Sequence, residues 1–380
     1  MRRIGIALAA PALALAFALA VTSAILAGTG HAPLEAFGWM WDYGTKPDSI
    51  ALTINLATGY YLAAIAVAIG FRMNLFNIGV DGQYRLAALV AAGVAGAIHL
   101  APILTVAITI VVAMLVGALW AAIAAVLKVK RGVSEVISTI MLNYIANAVI
   151  GYLLVPGRLA VNVEGSQGVG TKVIPASGRV PGFSLVGGSQ TEVYGLVVLA
   201  ILVGVGYWFL LGKTRFGFDL RATGRSESAA IASGVNVRRM VVISLLISGG
   251  IAGLIGIPNL LGESYSYSQN FPAGIGFVGI SVALLGRNHP VGIAFGALLW
   301  AFLDNARQIL DLYQVSKEIV TIMQATAVLS VVVAYEVVRR YNNNRHQREV
   351  ARSLEKLESG GSGGSGGTDQ PAAPAGSVPA

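Results

Sequence analysis

Residues 102–127 read PILTVAITIVVAMLVGALWAAIAAVL, without one charged side chain. The apolar residues run continuously instead of alternating, which fits a helix and not a half-buried strand. At ~1.5 Å per residue the run is long enough for the ~30 Å hydrocarbon core of a bilayer. Lipid offers the backbone no hydrogen bonds, so a spanning segment has to be a helix or part of a closed barrel. Further apolar runs lie on both sides: one ending at Ala27, then about 49–70, 83–100, 135–155, 191–211, 240–261, 274–286, 290–308 and 317–338. The sequence therefore predicts an all-α polytopic membrane protein of about ten transmembrane helices. The run at 274–286 is short for a full crossing and predicts a half-helix or a re-entrant piece.

Composition agrees. The chain is 55% apolar and 12% charged, with mean hydropathy +0.71. A soluble domain carries roughly twice that charged fraction. With no cysteine there is no disulfide framework and no thiolate metal or redox site. The net charge of +8 fits basic cytoplasmic loops, with membrane lipid and not nucleic acid as the partner. With the N-terminus inside and ten alternating spans, 20 of the 26 Lys and Arg fall on the cytoplasmic side. That asymmetry predicts a multi-pass cell-membrane protein with both termini cytoplasmic. The apolar run after Met1-Arg2-Arg3 is longer than a signal-peptide core of ~7–15 residues, which predicts a retained helix. Trp39, Trp41 and Tyr43 suit a membrane interface.

Three regions follow: 1–48, an N-terminal helix and external loop; 49–340, the transmembrane body; and 341–380, a flexible cytoplasmic tail. From Ser359 the tail turns Gly/Ser-rich and then Pro/Ala-rich, a composition that does not pack. The loop 156–190 falls outside and is rich in Gly, Pro and Ser, with room for a short hairpin. Asn77-Ile-Gly-Val-Asp-Gly82 resembles Gly274-Ile-Gly-Phe-Val-Gly279, which predicts an inverted repeat with interrupted helices.

Nucleotide motifs fail in context. Gly274, Gly276 and Gly279 match a dinucleotide fingerprint, but no strand precedes them and no βαβ unit surrounds them. Gly212-Lys213-Thr214 looks like the end of a phosphate-binding loop, but Tyr207 stands where its first glycine belongs. Gly249-x-x-x-Gly253 and Gly292-x-x-x-Gly296 permit close helix packing, within the bundle or across a dimer. No catalytic triad, metalloprotease motif or metal-ligating cluster is present, so catalysis is not indicated.

Polar groups in or near the spans are the candidates for a solute path: Asn74, Asn77, Asp81, Gln83, Asn143, Asn147 and Gln324. Each could equally be interhelical glue. Asn143 and Asn147 share a helical face. The amides would suit a neutral hydroxylated or heterocyclic solute, because they both donate and accept. Asp81, Glu135 and Asp304 could instead serve an ion-coupled secondary transporter.

One polar interruption stands apart: Lys213–Arg239, KTRFGFDLRATGRSESAAIASGVNVRR. Ser226 suits a helix N-cap and Gly234 a helix stop. The alanines between them keep such a helix thin enough for a groove, though an incidental turn in a basic loop reads the same way.

Phe218–Ile257, FDLRATGRSESAAIASGVNVRRMVVISLLISGGIAGLIGI, resembles the coupling-loop region of permease subunits of ABC importers. With FRMNLFNIGVDGQ (71–83) and VSEVISTIMLNYIA (133–146), it is similar to the ribose/branched-chain-amino-acid permease superfamily, and within it to nucleoside permeases that work with basic-membrane-protein-type receptors. The resemblance covers about 49–340. It implies a non-catalytic subunit that pairs with a second permease, in these systems a paralogue, and receives nucleosides from an extracytoplasmic lipoprotein. A separate cytoplasmic ATPase would bind ATP and Mg, leaving no cofactor in this chain. Its contacts would fall on Arg221, Gly224, Ser226, Glu227, Ala229, Ala230 and Gly234. A sugar or a branched-chain amino acid is the alternative cargo.

Overall fold

A computed structural model of the chain describes residues 16–162 and 168–361. Its helices are α1 (Ala16–Gly28), α2 (Pro33–Gly44), α3 (Pro47–Phe71), α4 (Val80–Ala97), α5 (Pro102–Arg131), α6 (Glu135–Leu153), α7 (Val197–Lys213), α8 (Arg215–Arg225), α9 (Glu227–Ala232) and α10 (Val237–Gly253). They continue as α11 (Ile257–Asn259), α12 (Ile275–Leu285), α13 (Pro290–Asn305), α14 (Arg307–Leu312) and α15 (Glu318–Gly361). Proline opens α2, α3, α5 and α13, where its missing N–H would have no partner anyway. Gly132, at φ +69°, closes α5.

The fold is helical throughout the membrane body. Helix α3 is its axis: Leu62 to Gly70 are all buried, matching an apolar stretch with no polar face. Around α3 stand α4, α7, α10, α12 and α13, with α5 outside α4 and α10. The Gly249–Gly253 pair packs within the bundle against α5: a Cβ on Gly253 would lie 2.0 Å from the Ala113 carbonyl oxygen. A second core joins α1, α2, α14 and the start of α15 through Leu26, Met40, Leu310 and Ile319. There Trp39 stacks on Tyr313 at 4.1 Å, while Trp41 stays exposed.

Among the described residues, five helices are long and apolar enough to cross a membrane, or up to seven if two bent pairs each make one span. The pairs are α1 with α2, bent by 114°, and α7 with α8, bent by 72°. The ten full crossings expected from the apolar runs are not confirmed by these helices. Three of the expected runs are not among them: α4, whose first turns carry Asp81, Gln83 and Arg85, and the short α12 and α13, of 11 and 16 residues. At ~1.5 Å per residue, α12 reaches only about half-way through a bilayer core.

The loop after α6 carries the expected hairpin, β1 (Ala160–Asn162) antiparallel to β2 (Val169–Thr171), with Ala160 opposite Thr171. It lies on the segment after α10, Thr171 donating to the Tyr267 carbonyl at 2.8 Å and Val180 to that of Leu261 at 2.8 Å. The Asp48 carboxylate ties the loop's far end, accepting from the Gln190 amide at 2.7 Å. The tail departs from the flexible reading up to Gly361, since α15 continues that far. Residues 362–380 lie outside the described part, as do residues 1–15 of the first expected helix.

Candidate functional site

The two short repeats meet. Val80 and Ile275 open α4 and α12, and those helix starts are packed together. The Asp81 carboxylate accepts the amides of Gly274 at 2.8 Å and Gly276 at 3.3 Å. Gly276 is glycine for want of room: a Cβ there would sit 2.4 Å from the Asp81 backbone nitrogen. Helix N-termini carry unpaired amides and a partial positive charge, so a buried carboxylate is stable there.

The neighbouring amides are engaged as well. Asn77 donates to Gln83 at 3.0 Å and to Ser248 at 2.9 Å, and Gln83 donates back at 3.0 Å. Ser248 in turn donates to the Ala66 carbonyl at 2.7 Å. Asn143 bridges Gly82 N and the Ile78 carbonyl, both at 2.9 Å. Of the expected path residues, Asn77, Asp81, Gln83 and Asn143 are thus all buried around the start of α4, each held by protein partners. Asn147 sits beside it on the exposed face of α6, accepting from Arg85 at 2.6 Å. Asn74 and Gln324 are not part of it. Asn74 donates to the Gly224 carbonyl on α8 at 2.8 Å, and Gln324 accepts from Arg307 at 3.0 Å.

Arg85 was missed as a site residue because the charge count grouped it with the cytoplasmic Lys and Arg. It lies within α4, between Asp81 and the exposed Asn147, with Tyr267 as a further electrostatic neighbour. Its spacing from Asp81, i to i+4 at the start of a helix, is the signal that could have found it.

The three carboxylates considered for ion coupling all have partners. Glu135 pairs with Lys128 at 2.5 Å. Asp304 pairs with Arg307 at 2.9 Å and accepts from the Tyr60 hydroxyl. Asp81 is held as above.

The polar interruption forms two short helices. Ser226 caps α9, its Oγ accepting from the Ala229 amide at 3.3 Å, and Gly234 ends the turn at φ +82°. Glu227 and Ala229 are exposed, while Ala230 is buried against the body. Arg221 donates to the Leu211 carbonyl at the end of α7. Gly224 lies flat on the loop after α3, since a Cβ there would be 2.1 Å from the Arg72 carbonyl oxygen. Arg72 reaches on to the Asn288 carbonyl at 2.6 Å, in the turn after α12. The exposed α8–α9 surface, with Phe218 and Ile231 outermost, is thus bonded to the loop that leads into the α4–α12 network.

Helices long and apolar enough to cross a membrane, packed around the buried α3, make this chain a multi-pass membrane protein. The family model described as branched-chain amino acid transport system / permease component matches residues 49–335, and the chain belongs to that family. It is 33% identical to the guanosine ABC transporter permease protein NupP of Bacillus subtilis, over 86% of this chain and 93% of that one. It is 30% identical to the glucose ABC transporter permease protein TsgB13 of Haloferax volcanii, over 87% and 88%. It is 28% identical to the nucleoside ABC transporter permease protein NupB of Lactococcus lactis, over 86% and 90%. Second permeases from two of these organisms match too: NupQ at 31% over 38% of this chain and 45% of that one, and NupC at 26% over 67% and 80%. No solved structure matches the chain.

Proposed function

We propose that this chain is the permease of a nucleoside importer, working beside a paralogous permease and driven by a separate cytoplasmic ATPase that binds the ATP and Mg. The observation that carries the cargo is the match over most of both chains to NupP and NupB, named for guanosine and nucleosides. The paired names NupP with NupQ and NupB with NupC support a hetero-oligomer. An extracytoplasmic lipoprotein would deliver the solute.

The α8–α9 surface is the docking site for the ATPase, and α9 receives its movement. Arg221, Gly224, Ser226, Glu227, Ala229, Ala230 and Gly234 shape that surface. Displacement of Gly224 would press on Arg72 and Asn74, and through the following segment on the joint between α4 and α12. The two short motifs are the matching halves of an inverted repeat, and that joint is its hinge. Since Asn77, Gln83 and Asn143 are already engaged by protein partners here, their part in the path is to hold the hinge. Asn147 is the amide left on an open face. Alpha-helical membrane faces that show Asn147 and Tyr144 to lipid are costly, so the second permease or a water-filled path covers this one.

The test is uptake into proteoliposomes holding the assembled permease pair, ATPase and receptor. ATP-dependent accumulation of labelled guanosine or adenosine, but not glucose or leucine, is the expected result. Glucose uptake alone would replace the cargo. Uptake driven by an ion gradient without ATP would replace the mechanism; the paired states of Glu135, Asp304 and Asp81 argue against it.

A further inference from the structure

An arginine within the helix bundle of a membrane protein is costly unless it faces protein or a water-filled cavity, and such residues mark solute paths. Arg85 lies more than one turn inside α4 and is only partly buried. One guanidinium nitrogen donates to Asn147 at 2.6 Å. Its Nε is buried without a hydrogen-bonding partner among the described residues. Asp81, a turn away, already accepts two backbone amides. Arginine donates five hydrogens and accepts none, so even with Asn147 and the Tyr267 hydroxyl as partners this fork has more donors than its surroundings have acceptors. Beside it, Asn147 and Tyr144 share the open face of α6, with Tyr144 70% exposed.

We infer that Arg85, with Asn147 and Tyr144, is a recognition point on the solute path that selects 6-oxopurine nucleosides over other nucleosides. This rests on the nucleoside reading above. The reasoning is donor–acceptor matching. Guanosine and inosine place two acceptors, O6 and N7, side by side at the spacing of a guanidinium fork. Adenosine puts an amino donor beside N7 and meets the arginine donor against donor. Cytidine also presents an amino donor, and uridine offers a single carbonyl at that edge. Tyr144 supplies a ring on which any base can stack, so it adds binding without choosing among bases. Asn147 holds the fork in plane and can exchange its bond for one to the solute.

The experiment compares the complete importer carrying wild-type, Arg85→Gln, Arg85→Lys or Asn147→Ala permease. Uptake of guanosine, inosine, adenosine and cytidine is measured at saturating receptor, with complex yield and ATP hydrolysis recorded for each variant. Arg85→Gln is expected to lower guanosine and inosine uptake about tenfold relative to adenosine. Arg85→Lys should fall between, because an ammonium lacks the planar fork. Asn147→Ala, which leaves Arg85 in place, should change the guanosine-to-adenosine ratio without loss of complex. If wild type carries nucleosides but every variant slows all four alike, or none alters the ratio, selection by Arg85 is overturned and the importer reading stands. If wild type carries no nucleoside, the cargo reading itself has failed and the selection falls with it.

Discussion

The carboxylate of Asp81 caps the start of α12 by accepting the Gly274 and Gly276 amides, so the first turn of α4 anchors the first turn of α12. Replacement by alanine leaves these amides without their acceptor, one of them fully buried. Each unpaired buried group costs about 1–3 kcal/mol. Asp81→Ala should therefore lower the thermal midpoint of the detergent-solubilised protein, followed by circular dichroism. Asp81→Asn keeps an acceptor oxygen and should lose much less. Equal losses would mean that charge, and not the cap, holds the joint.

Gly224 against Arg72 is the narrowest contact between the α8–α9 surface and the membrane body. Gly224→Val places its Cβ into the Arg72 carbonyl, and both partners are backbone, so α8 has to lift. The expected outcome is a complex that still assembles and hydrolyses ATP but in which solute no longer stimulates hydrolysis, with uptake down at least several-fold. Stimulated hydrolysis at the wild-type level would remove this contact from the transmission route.

Gly234 offers a cleaner test of α9. Its φ is +82° and nothing lies within 4 Å of a built Cβ, so alanine adds only backbone strain. That strain is about 1–2 kcal/mol. Gly132, at φ +69° and equally open, is a matched control in the turn after α5. Gly234→Ala should weaken ATPase co-purification, while Gly132→Ala should not. Matching effects from both would point to general instability.

What was legible in the sequence follows local rules. Ser226 as a cap and Gly234 as a stop depend on a few neighbouring residues, and both stand as read. Helical class was equally plain from uncharged runs such as 102–127. Arg85 was passed over, because the charge count grouped it with the cytoplasmic side although the apolar run from 83 contains it. The engagement of Asn77 with Ser248, far along the chain, depends on how α3, α4 and α10 pack, and no local pattern encodes it. The same holds for Gly249 and Gly253. Their spacing announces a close contact, but that the partner is α5 emerges only from the fold. The number of full crossings was not legible, because an apolar run does not say where its helix stops.

Sidedness can be read chemically, because the chain has no cysteine of its own. Ser228, exposed on α9, and Val173, exposed in the loop after β2, take single cysteines without touching the core. The charge asymmetry puts these positions on opposite faces of the membrane, with α9 inside. In intact cells a membrane-impermeant maleimide should label Val173→Cys and leave Ser228→Cys unmodified until the membrane is permeabilised. Labelling of Ser228→Cys in intact cells would place α9 outside. It would then be out of reach of any cytoplasmic ATPase, and the docking role proposed for Ser226–Gly234 would fall.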